Sequence, residues 1–440
     1  SDKALIKGEY FANMRGGVSN LCSNTIVDAN IHDIGSTKYG FPHYGDPTRY
    51  GVNFEDVFVQ KLTVRGSVAN CPQGVLCNAR ELDVDASFKN IAFSGVSVYS
   101  TFVVNISASS FDTVGNILTA QLTSARKKNR AIELNDCIVK NSSFYGDFST
   151  NPDILMSIKD NTFVHSNVNL IGNGSNIVFD DNTITSLLGR YVDVFTIKNA
   201  LSAKNNTVNR SASVPPASQG WGRLDLYAKS ADKNLIEINQ GGQRLLNVLS
   251  ATDAPKIQGV TIKATSLDVI QVDKSGSYAS FIDNRTIDNC TLDGCECRLG
   301  EFRNFNSLTD FNFTISNSKL LNGAYLYLVR GETVTSSTGT ITIKDTVIDL
   351  TQSTYLIRNY YALIGTIAIK FINCTFKSDT AKSIAFVQGN TTGITLTCIG
   401  CTFFNVTNID TITTVEGQVK VTYDPPSLAT NTQQSTTVTL

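Results

Sequence analysis

A short segment of the form Asn-x-Thr/Ser-apolar returns along the chain about every 20 to 30 residues. The clearest run is Asn289-Cys290-Thr291-Leu292, Asn317-Ser318-Lys319-Leu320, Lys344-Asp345-Thr346-Val347, Asn373-Cys374-Thr375-Phe376 and Gly400-Cys401-Thr402-Phe403, whose last residues lie 28, 27, 29 and 27 apart. An earlier run ends at Phe144, Phe163, Ile184 and Val208, with spacings of 19, 21 and 24. Weaker members sit at Ile26, Val64, Phe88, Phe111 and Ile262. A unit this short cannot bury an apolar face alone, so neighbouring units must stack.

Each unit opens on an alternating stretch, such as Ile341-Thr342-Ile343 or Ile367-Ala368-Ile369. That alternation sends one set of side chains to a core and the other outward. Asn follows, where the chain can turn through a left-handed conformation. No pattern of period 3.6 lies between the strands, which disfavours leucine-rich and α/β crossover units. The expected fold is all-β: a right-handed single-stranded parallel β-helix, or solenoid. Residues 1–60 read as a lead-in and cap segment, 61–410 as the β-helix body, and 411–440 as an exit segment leading to a C-terminal β-domain that the sequence lacks. The spacing of 54 between Val208 and Ile262 marks either a long insertion near 209–258 or a coil with a degenerate motif. Several cysteines, among them Cys290, Cys374 and Cys401, fall beside the repeat Thr and read as small buried hydrophobes rather than as disulfide or metal sites.

Among 440 residues, 37 Lys+Arg stand against 38 Asp+Glu, a balance that disfavours nucleic acid as an electrostatic partner. No apolar run is long enough to insert in a membrane. The first residues, Ser1 to Lys7, carry no apolar signal-peptide region, and no cofactor or metal is expected.

With its repeat from Val64 to Phe403, the chain resembles bacteriophage tailspike proteins, whose body is a pectate-lyase-like β-helix. The segment Val419 to Leu440 is similar to the stretch that leads out of such a body into a small terminal β-domain. The resemblance implies the body of a longer protein, a homotrimer on the phage tail (the virion) acting at the extracellular bacterial surface. It further implies binding of a bacterial surface polysaccharide, capsule or O-antigen, and its depolymerisation. Endo-hydrolysis is the first expected chemistry. The alternatives are β-elimination by a polysaccharide lyase and a non-catalytic receptor-binding or structural spike for host attachment.

Four groups of residues suit a glycan. In Arg223 to Ala228, Leu224 and Leu226 alternate with Arg223, Asp225 and Tyr227; in Leu235 to Asn239, Glu237 and Asn239 face outward. If the two strands belong to adjacent coils, Asp225 and Glu237 fall within the roughly 5 to 9.5 Å used by glycosidase carboxylate pairs. Trp221 and Tyr227 would stack on sugars, and Arg223 and Arg244 would hold an anionic group. The second group, Glu81, Asp83 and Asp85, lines one face with neighbours about 6.6 Å apart, a spacing suited to an inverting acid/base pair or to calcium. In the third, Tyr355 and Arg358, with Tyr360 and Tyr361, are read as a loop carrying lyase-type residues. The fourth is an aromatic loop from Tyr39 to Tyr50, expected to cap the helix or to form the lip of a groove.

Overall fold

The computed structural model describes residues 3–11, 16–18, 22–34, 50–99, 101–120, 130–151, 153–185, 195–210, 224–230, 235–238, 244–249, 256–258, 261–264, 269–271, 285–293, 296–298, 307–327, 336–353, 355–358, 363–382, 385–388, 391–406, 414–416 and 420–422. They form two units, Ser1–Asn209 and Arg210–Leu440. The described residues are strands and turns, and no helix among them is long and apolar enough to cross a membrane.

In the first unit, parallel pairing sets equivalent residues of successive coils on top of one another. One inward column runs Val27, Val64, Val84, Ile106, Leu134, Ile158 and Phe179. A second runs Ile31, Val68, Phe88, Phe111, Val139, Phe163 and Ile184. All of these side chains are buried, and each contributes about 1.5–3 kcal/mol of transfer free energy. Phe88 and Phe111 stack at 4.9 Å with planes 4° apart, so the rings follow the strand spacing. The columns revise the repeat frame. Val64 and Phe88 belong to different columns, Ile26 is 38% exposed while Val27 faces in, and Phe144 lies opposite Val168 rather than in line with Phe163. The ladder also starts well before residue 61, since Lys3–Phe11 pairs along its length with Asn24–His32, and Asn24–His32 with the strand Tyr50–Cys71.

In the second unit, parallel register likewise sets equivalent residues of successive coils opposite one another, in three series of strands. One column runs Ile236, Ile262, Leu292, Leu320, Ile348, Phe376 and Phe403. Its inward member at the third clear repeat is Ile348, one residue beyond the expected Val347. Ile236, opposite Ile262, takes a ladder place inside the 54-residue spacing. A second series carries Ile287, Ile315, Ile343, Phe371 and Cys398, and a third carries Cys297, Leu326, Ile357 and Val387.

The turns explain the motif. A left-handed residue recurs at Asp136, Asp160, Asp181 and Asn205, and again at Asn289, Asn317, Asp345, Asn373 and Gly400. Asn, Asp and Gly tolerate this region best. The next residue points into the core and must be small or fully hydrogen-bonded. Cys137, Cys290, Cys374 and Cys401 occupy this place as buried free thiols, as the sequence indicates for the last three. The Cys290 thiol donates to the Asp288 carbonyl at 3.3 Å and that of Cys374 to the Ile343 carbonyl at 3.2 Å. Burial pushes the Cys137 thiol up to about 12.

A second column of left-handed residues runs Asn70, Asn90, Thr113 and Asn141, with φ of 61° at Thr113. A β-branched residue is the poorest choice there. Replacing Thr113 with Asn is therefore expected to raise the unfolding free energy by about 1 kcal/mol. Urea unfolding checks this, and a loss of stability would show that the Thr113 hydroxyl bond to Asp112, at 3.1 Å, outweighs the backbone gain.

Candidate functional site

The first unit carries an outer groove of about 530 Å³, within the range of ligand sites. Its aromatic lining is Tyr50, Phe93 and Tyr99; its polar lining includes Gln73, Ser97, Asn116 and Thr119. These residues are distant in sequence, and coil register brings them together. Tyr50 lies opposite Gln73, Ser94 opposite Asn116, and Ser97 opposite Thr119.

Each is held by the ladder. The Phe93 amide donates to the Pro72 carbonyl at 2.9 Å, and the Tyr99 amide to that of Cys77 at 3.1 Å. The buried Arg130 guanidinium donates to the Tyr99 carbonyl at 3.3 Å. The Ser97 hydroxyl donates to Gln73 Oε1 at 3.3 Å. Asn116 Nδ2 donates to Thr119 Oγ1 at 3.2 Å, while Asn116 Oδ1 accepts from the Tyr145 amide at 3.0 Å, tying the groove to the next coil. Phe93 stays 41% exposed. Glycines allow the coils to lie close beneath it: a Cβ at Gly51 would lie 3.1 Å from the Gly74 carbonyl oxygen, and one at Gly74 would run into that of Gly95. Among the described residues no charged side chain lines the groove. The arrangement presents flat apolar surfaces beside neutral donors and acceptors.

The sequence candidates lie elsewhere. Leu82 and Val84 are buried and Glu81, Asp83 and Asp85 alternate with them, as the pattern indicates. Asp83 is engaged: Lys61 Nζ lies 2.5 Å from both Asp83 Oδ2 and Glu81 Oε1, and Asn105 Nδ2 donates to Asp83 Oδ1 at 2.9 Å. The bonds to Asp83 and Glu81 hold the Lys61 ammonium above its ordinary pKa. Asp85 is exposed, with Arg65 opposite.

Asp225 and Tyr227 lie on the strand Leu224–Ser230, Glu237 on Leu235–Ile238 and Arg244 on Arg244–Leu249. The register places Asp225 opposite Asn247 and Glu237 opposite Lys263, so it does not set the two carboxylates against each other. Trp221 and Arg223 lie outside the described residues, as do residues 39–49, Tyr360 and Tyr361. Tyr355 and Arg358 belong to the strand Tyr355–Arg358 instead of a loop, opposite Ala385 and Gln388. Of the expected positions among the described residues, Tyr50, at the end of the aromatic segment, lines the groove.

Set against models of known protein families, against curated proteins and against solved structures, the chain has no match.

Proposed function

We propose that the protein binds a bacterial surface polysaccharide, capsule or O-antigen, along the groove of the first unit, as the body of a homotrimeric tailspike-like protein on a phage particle. The observation that carries this reading is the groove itself: aromatic rings and neutral amides and hydroxyls, each fixed by a parallel ladder. Aromatic faces stack on the apolar faces of pyranose rings, while amides and hydroxyls answer sugar hydroxyls. A rigid ladder loses little entropy when a ligand settles.

Recognition is favoured over cleavage by the placement of the acids. Hydrolysis needs two carboxylates flanking one glycosidic bond. No carboxylate lines the groove among the described residues, and Asp83 is paired with Lys61 and Asn105. The same ladder and contacts serve host attachment without them.

The test is titration of the protein with purified capsule and O-antigen polysaccharides by calorimetry. Saturable binding to at least one of them is expected. Phe93→Ala and Tyr99→Ala should each weaken it about tenfold, the scale of one aromatic contact. Thermal stability of Phe93→Ala should be nearly unchanged, because the ring is 41% exposed. Binding undiminished in the double variant, or absent across the panel, overturns the reading.

A further inference from the structure

Among the described residues, the groove offers a polar lining without charge. Gln73, Ser97, Asn116 and Thr119 are neutral, and the hydroxyl of Ser94, 5% exposed, is already committed to the Val96 carbonyl at 3.0 Å. Arg130, a cation bonded to the groove's frame, is 6% exposed and turned to the Tyr99 backbone carbonyl. Elsewhere in the unit, Lys61 holds Glu81 and Asp83, and Lys7 holds Asp28.

A carboxylate carried into such a groove loses hydration and gains no ion pair from the described lining. That cost is large for a charge and small for a hydroxyl, which an amide can both donate to and accept from. The polar groups also come one coil at a time. Gln73 sits on one coil, Ser97 on the next and Asn116 with Thr119 on the one after, and Ser97–Thr119 and Ser94–Asn116 are register pairs. One coil step is about 4.8 Å, close to the length of one pyranose residue in an extended chain. Successive sugars can therefore each meet a neutral polar group.

We infer that the groove selects an uncharged glycan and discriminates against chains bearing uronate or sialate carboxylates. This rests on the polysaccharide reading above and narrows its ligand to one chemical class.

The experiment compares dextran, mannan and galactan with polygalacturonate, hyaluronate and polysialic acid, and each acidic polymer with its own carboxyl-reduced form. Binding is expected only among the neutral polymers and the reduced forms. Reduction should raise affinity at least about tenfold for any backbone the groove accepts. Affinity should change less than about twofold between 0.05 and 0.5 M salt, since no exposed ion pair is formed. The Gln73→Lys variant adds a cation inside the groove and should raise affinity for the unreduced acidic polymer over its reduced form. Tightest binding to an acidic polymer, weakened by salt and lost on reduction, overturns this inference and leaves the polysaccharide reading standing. Silence toward every polymer, including capsule and O-antigen preparations, overturns both.

Discussion

Replacing Asn182 with Ala is expected to lower the unfolding free energy by about 3–5 kcal/mol. Asn182 is 1% exposed and is the middle of three stacked amides, between Asn161 and Asn206. Its Oδ1 accepts from the Asn161 backbone amide at 3.1 Å and from Asn161 Nδ2 at 3.0 Å. Its Nδ2 donates to the Ile158 carbonyl at 3.0 Å and to the Asp180 carbonyl at 2.9 Å. Truncation strands these groups where water has no room, and each orphaned group costs about 1–3 kcal/mol. Asn205 is the control, since it is exposed and left-handed with φ of 53°. Asn205→Gly keeps that conformation and should change stability by no more than about 0.5 kcal/mol. Urea unfolding monitored by circular dichroism measures both. A loss below about 1 kcal/mol for Asn182→Ala would mean that the ladder does not seal this turn, and that the motif's second position is a matter of size alone.

That second position also shows what the sequence made visible. A left-handed turn favours Asn, Asp or Gly at one residue, and the stacked core favours a small or bonded side chain at the next. Two such preferences in a row leave a readable trace, as in Asn289-Cys290-Thr291-Leu292. The frame slips at Lys344 because Asp345 is itself the left-handed residue and Thr346, which looks like the motif's Thr, is the buried one. Along the uninterrupted strand Tyr50–Cys71 the period of two makes Val64 and Val68 equivalent, and only pairing tells their columns apart. The candidate site was harder for the same reason. Alternation assigns Asp225 and Glu237 to a face but says nothing about which coil lies beside them. The groove residues come from separate coils and are joined by register, which no local window contains. A signal was present: Tyr50-Gly51, Gln73-Gly74 and Ser94-Gly95 repeat a glycine after a groove residue, 23 and 21 residues apart.

Those glycines carry the second large effect. Gly74→Ala is expected to cost about 3 kcal/mol of stability and to abolish glycan binding together. A Cβ at Gly74 would run into the Gly95 carbonyl oxygen, which is backbone of the next coil, and would lie 3.0 Å from Phe88 Cδ1 and Cε1. Neither neighbour can yield cheaply. Phe88 is fully buried and stacked on Phe111, and a Cβ at Gly95 would likewise meet the Ile117 carbonyl and the Phe111 ring. Relief therefore requires the coil spacing to open at Gly95, between Ser94 and Ser97, the floor on which the groove's polar groups are registered. Truncating Phe93 removes a contact and leaves the frame, so it should weaken binding with little change in melting temperature; Gly74→Ala should lower both. Wild-type stability combined with lost binding in Gly74→Ala would place the coupling in the groove alone. Wild-type values of both would show that the coils separate freely, and that close approach at the glycine stack does not set the groove's geometry.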